Sequence, residues 1–288
     1  MYKRMVKKFG NLGIKYISSY VKPLKETLAK ANIGVLFEVY VGRMLFISFV
    51  SFVVIFSSVF LMFLIIGVPF LITLVSAMIA ATTVSLIVLT LFHSYPFQLL
   101  STKKTAIDTN MPFAINHMAA IASAGVPPFV IFKLLGNIKE YGEIMQEAKR
   151  IVRNIEVFGM DLTTALQNVA ERTPSEGFRQ FLYGITSTIN TGGDLKKFFE
   201  NSAKDALFDY RIKREKYLKT LETYADFYTA VLIAAPLFFI SILAVMALIG
   251  GQVFGLSIPV AMRIGIFVLI PLLNTAFIMF IHYTQPKV

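Results

Sequence analysis

No Lys, Arg, Asp or Glu occurs from Met44 to Thr102, nor from Phe227 to Met262, and between these stretches lies a segment crowded with both signs of charge. A bilayer core of roughly 30 Å takes about 20 helical residues, so the first stretch is too long for one span and fits two. Gly67, Val68 and Pro69 break it, predicting spans over residues 44–66 and 70–92. The C-terminal region repeats the plan, with spans over residues 227–249 and 260–282 around a turn containing Gly250, Gly251, Gly255 and Pro259. The pattern predicts an all-α membrane protein, with four transmembrane helices in two hairpins flanking a six-helix cytosolic bundle.

Charge asymmetry sets the expected orientation. The stretch up to Arg43 carries nine basic residues against two acidic ones, the middle segment carries many of both signs, and the hairpin turns carry none. Lys and Arg mark the cytoplasmic side. The expectation is a multi-pass protein of the cytoplasmic membrane with both termini inside. It would comprise a basic amphipathic segment over residues 1–43, a first hairpin over 44–93, a cytosolic domain over 103–226, a second hairpin over 227–282 and a tail over 283–288. The net charge of +11 reads as this bias plus attraction to anionic lipid, not as nucleic-acid binding. With no cysteine in the chain, disulfides and thiolate metal sites are excluded.

Within residues 1–43, Ile14, Ile17, Val21, Leu24 and Leu28 recur at three- and four-residue steps, with Lys15, Lys22, Lys25 and Lys30 elsewhere. The pattern is amphipathic, with Pro23 restarting the helix at a first-turn position. Such a helix lies on the inner leaflet or a partner, or packs on the chain's own cytosolic domain; the sequence leaves these open.

The middle segment reads as helical throughout. Thr109 or Asn110 is placed to cap a helix beginning at Pro112, and Gly125 stops it. A second helix begins at Pro127 and Pro128, and a third covers roughly residues 141–157. Gly159 ends the third and Asp161 caps a fourth. Pro174 and Ser175 open a fifth. Thr191, Gly192 and Gly193 form the next turn, and Asp194 caps a sixth helix, uninterrupted by Gly or Pro, that continues into the third span. These starts recur at about 33 residues, which raises a helical-repeat array; the stronger explanation is a helix-turn-helix unit of ordinary length, in which each turn needs a Gly exit and a capped entry.

The run from Asn110 to Leu135 resembles the start of the cytoplasmic domain of the type II secretion F family, most of all its archaeal members, the platform proteins of archaella and type IV pili. The turn from Thr188 through Leu195 is similar to the family's second Gly-containing signature. Bacterial members have an acidic residue in that turn where this chain has Thr191, so no carboxylate role carries over to it. The resemblance implies a platform in the cytoplasmic membrane that helps move prepilin or archaellin-like subunits from the bilayer into a filament. It implies a cytosolic secretion ATPase as partner, and assembly as a homodimer or with a paralogous platform subunit. Gly125, Pro127, Gly159, Asp161, Gly192, Gly193 and Asp194 are read as structural turn and cap residues. Arg211, Lys213 and Arg214 are the candidate ATPase-docking residues, Pro236 and Pro271 the candidate helix kinks.

Catalysis has little support. There is no phosphate-cradling GxxxxGK[ST] loop, and His93, His117 and His282 lack metal-binding spacing, so no catalytic, cofactor or metal site is expected. An aspartyl prepilin peptidase would want a GxGD motif, and Thr191 stands where its first Gly would be. The alternative to a platform is a small-solute transporter or channel subunit with a cytosolic regulatory domain. Such proteins place ionisable groups inside spans, and the first three spans here have none. Arg263, near the outer start of the fourth, reaches the headgroups by snorkelling or contacts a partner.

Overall fold

The computed structural model describes residues 2–16, 18–31, 33–250, 252–253 and 255–284. Chain contacts divide it into two units, Met1–Ala203 and Lys204–Val288. Among the described residues, four helical stretches are long and apolar enough to cross a membrane: Phe37–Ile66, Phe70–Ser123, Leu195–Ile249 and Ile258–Thr284.

The first unit begins with α1 (Tyr2–Tyr16), α2 (Ser18–Lys30) and α3 (Phe37–Ile66). Pro23 lies inside α2 rather than in its first turn, which corrects the expected restart. A helix absorbs one missing hydrogen bond when the turn around it is otherwise held. Leu24 and Leu28 are buried with Tyr40 and Val41 of α3, so these two residues of the apolar face of α2 are covered by the chain's own helices. Ile17 lies outside the described residues, as does the side chain of Val21. Closer still is the seam between α1 and α3. A Cβ on Gly42 would stand 2.1 Å from the Val6 carbonyl oxygen, and one on Gly10 2.4 Å from that of Glu38. Only glycine permits this approach.

α3 stops at Gly67, whose φ of 81° is open to glycine at little cost, and α4 (Phe70–Ser123) starts one turn on. The two helices run antiparallel. Tyr40 Oη donates to the Phe92 carbonyl at 2.7 Å, Ser85 Oγ to that of Ser48 at 3.0 Å, and the Phe60 and Phe70 rings stand 6.1 Å apart.

α4 has 54 residues and passes through Pro96 and Pro112 without a break. At 1.5 Å per residue it is about 80 Å long, well beyond a bilayer core of about 30 Å. No helix starts at Pro112, and neither Thr109 nor Asn110 is a cap. A helix-interior proline costs about 3 kcal/mol, but Ile107, Ile115 and Met118 are fully buried along this stretch, each worth about 1.5–3 kcal/mol. Burial of that face outweighs the proline.

Around the far end of α4 lie α5 (Pro128–Leu135), α6 (Glu143–Glu156), α7 (Leu162–Arg172), α8 (Glu176–Asn190) and the start of α9 (Leu195–Phe227). Their buried faces supply Phe132, Ile151, Leu166, Phe178, Leu182 and Phe199. Gly184 lets Phe198 close on α8, since a Cβ there would stand 2.6 Å from its ring.

In the second unit the helical path of α9 passes through a π-helical turn, Tyr228–Ala234, into α10 (Ala235–Ile249). Two short antiparallel strands, β1 (Gln252–Val253) and β2 (Leu256–Ser257), lead to α11 (Ile258–Ile264), a second π-helical turn (Gly265–Leu269) and α12 (Ile270–Thr284). Tyr224 packs on Phe280 at 5.8 Å and Tyr228 on Phe277 at 5.4 Å, closing α9 and its π turn onto α12.

Candidate functional site

The domain built on α4 is held by polar contacts as well as by its core. Lys103 of α4 pairs with Glu143 of α6 at 3.8 Å, His117 Nδ1 lies 3.0 Å from Tyr141 Oη, and Ser123 Oγ donates to Glu200 at 3.1 Å. Ser175, the N-cap of α8, donates to Asp108 while its oxygen accepts from the Phe178 N–H at 3.1 Å. One hydroxyl thus closes the first turn of α8 and ties it to α4.

The turn residues occupy the helix junctions. Gly125, Gly159 and Gly192 have φ of 76°, 67° and 68°, and Pro127 precedes the first residue of α5. Gly193 lies against Thr188, where a Cβ would come within 3.0 Å of the methyl carbon. Asp161 accepts from the Thr164 N–H at 3.0 Å and from Thr163 Oγ1; these hydrogen bonds, Thr163's first, hold its carboxyl well below the usual range. Asp194 accepts from the Lys197 N–H at 3.2 Å.

Glu147 of α6 was not singled out by sequence. Its side chain is 3 % exposed and Arg150 Nη1 sits 3.1 Å from it. Burial drives its carboxyl up from 4.5 to about 6 against the pull of Arg150, with Glu143 adding to the rise. The folded-state value lies above the unfolded one, so the stability it contributes is fully present below about pH 4.5 and is lost as pH rises through about 6. The difference amounts to about 2 kcal/mol. Glu147→Gln is therefore expected to gain stability relative to the parent by about this amount between pH 4.5 and 7; thermal unfolding in detergent at both pH values measures it. A pH-independent difference would mean that Glu147 is solvated.

Arg211, Lys213 and Arg214 are exposed on α9, and Arg214 Nη1 donates to Tyr210 Oη at 3.4 Å. Arg263 is exposed near the end of α11. Pro236 and Pro271 each stand second in the helix after a π-helical turn. A proline crowds the carbonyl four residues back, and the extra residue of a π turn moves that carbonyl aside. Both π-helical turns border an apolar cavity of about 260 Å³, whose lining includes Val231, Pro236, Phe239, Gly265 and Leu269. The paired π turns have no hydropathy signal; the prolines alone hint at them. Among the described residues no cluster of His, Cys, Asp or Glu could hold a metal ion.

These features define an all-α, multi-pass membrane protein with a charged helical domain. Residues 114–243 match the type II secretion system (T2SS), protein F family. The match falls on the segment whose Gly- and Pro-containing turns resemble that family. Similar proteins include an uncharacterized protein of Methanocaldococcus jannaschii, 26% identical over 67% of this chain and 33% of that protein. Flagella accessory protein J of the same organism is 23% identical over 53% of this chain and 27% of its own length, and that of Methanococcus voltae 23% identical over 50% and 26%. The chain thus spans a quarter to a third of the length of these relatives. No solved structure matches it.

Proposed function

We propose that the chain is a platform subunit of a filament assembly machine of the archaellum, type IV pilus or type II secretion kind, linking a cytosolic secretion ATPase to insertion of prepilin or archaellin-like subunits. In this reading it is a scaffold and not an enzyme. Two membrane hairpins, residues 44–93 and 227–282, flank a six-helix cytosolic domain over 103–226, with the basic segment 1–43, the tail 283–288 and both termini in the cytoplasm. It works as a homodimer or with a paralogous platform subunit. The observation that carries this is the F-domain match over residues 114–243, together with the helical path of α4 from an apolar stretch into that domain without interruption.

Arg211, Lys213 and Arg214 are the proposed ATPase-docking residues and Arg263 a proposed partner contact. Reversing the three cations in the full-length protein, purified in mild detergent, is expected to weaken binding of the cognate ATPase. The loss should diminish at high salt, because exposed charges are screened beyond roughly 8 to 10 Å. Undiminished binding by the triple variant, or ATP hydrolysis by the purified chain alone, would count against the assignment.

A further inference from the structure

We infer that α1 is an interfacial helix, fixed at the depth where α3 enters the membrane, whose exposed Lys8 acts with Arg43 of α3 to take the phosphates of anionic lipid headgroups. The depth comes from the contacts. Val6, Phe9, Gly10 and Gly13 meet α3 between Glu38 and Phe49, and Phe9 lies 5.9 Å from Phe46 and 5.7 Å from Phe49. That interval straddles Arg43, the last charge before the uncharged stretch begins at Met44. Tyr40 of α3 donates to the carbonyl of Phe92 in α4, where the span expected over residues 70–92 ends, so the two expected spans of this hairpin end at about the same level.

At this level the surface is mixed as an interfacial helix requires. Met5 and Phe49 are exposed apolar side chains, 42% and 53% accessible. Lys8 and Arg43 are exposed cations, and α1 contains no acidic residue. Glu26 and Glu38 are the nearby acids in sequence, both exposed, and leave the segment strongly basic. The backbones approach so closely at Gly42 and Gly10, where an added Cβ would stand 2.1 Å and 2.4 Å from a carbonyl oxygen, that α1 cannot ride up or down α3 without separating from it. The cations are therefore held at one depth, unlike those of a flexible basic tail. An acidic protein surface would meet the charges but not the apolar side chains beside them; a lipid leaflet meets both. Assigning that leaflet to the cytoplasmic side rests on the orientation proposed above.

The test uses the full chain in nanodiscs of phosphatidylcholine containing about 30 % phosphatidylglycerol, with the lipid retained after partial delipidation measured by native mass spectrometry. A basic residue near an anionic surface contributes about 1 kcal/mol, or about fivefold in affinity. The parent is expected to enrich phosphatidylglycerol, Lys8→Gln with Arg43→Gln to lower that enrichment by at least about tenfold, and Lys8→Arg to keep it. Lys104→Gln, at an exposed cation on α4, is expected to change nothing. Inorganic phosphate at millimolar concentration should leave the lipid in place; displacement would make the ligand a soluble anion and overturn the proposal. So would no enrichment, or enrichment indifferent to the double substitution, which would assign the cations to a protein partner absent from the nanodisc. Orientation is read separately with single cysteines at Gly67 and Lys103 in this Cys-free chain, which should label from outside only at Gly67. Outside labelling at Lys103 with lipid enrichment intact would remove the orientation and leave the lipid site standing.

Discussion

Gly42→Ala is expected to lift α1 off α3. The new Cβ would stand 2.1 Å from the Val6 carbonyl oxygen, a backbone atom that no rotamer change can move. Overpacking of this kind costs about 1–3 kcal/mol, which raises opening of the seam by about five- to over a hundredfold. Limited trypsin digestion of the detergent-solubilised protein reads it directly, through faster cleavage after Lys8 and Lys15. Gly34→Ala is the control, because a Cβ there meets nothing within 4 Å. Gly10→Ala should produce the same opening, and the double variant little more, since both glycines serve one contact and their effects couple. Equal digestion of Gly42→Ala and the parent would mean that α1 does not dock through this seam.

Two glycines inserted after Thr220 in α9, or after Ser101 in α4, are expected to abolish filament assembly while membrane insertion and ATPase binding persist. Helical structure is continuous over Phe70–Ser123 and over Leu195–Ile249, so in the proposed machine each helix carries cytosolic motion toward the bilayer. Each glycine costs about 1 kcal/mol of helix propensity relative to alanine, and two added residues rotate the downstream part of the helix by about 200°. Four alanines in the same places turn the helix by about 400°, nearly restore its phase, and are expected to retain assembly. If the glycine variants assemble filaments as well as the parent, the rigid-helix coupling is wrong and the platform is a passive anchor.

The places where sequence reading fell short share a cause. Pro112 carries a strong local signal for a helix start, yet it lies within α4, because Ile107, Ile115 and Met118 bury one continuous face there. Pro23 sits inside α2 for a similar reason, with Leu24 and Leu28 buried on α3. Gly10, Gly13 and Gly42 show nothing in a hydropathy pattern, though they set how closely α1 and α3 approach. Glu147 reads as one more charge on a charged helix; only packing reveals a carboxylate buried beside Arg150. The π-helical turns ahead of Pro236 and Pro271 arise from how each helix relieves a proline, which no single-residue preference encodes.

By itself the sequence determined the number of apolar stretches able to cross a membrane, the helical class, and the resemblance to the F family. Those depend on local quantities: runs without charge, the 3.6-residue period, and glycines at turns. Tertiary structure alone decided which of α1's faces was already used, that α4 runs unbroken through two prolines, and where a carboxylate became buried. Those outcomes depend on which surfaces meet, and burial on contact outweighs local propensities of a kcal/mol or a few.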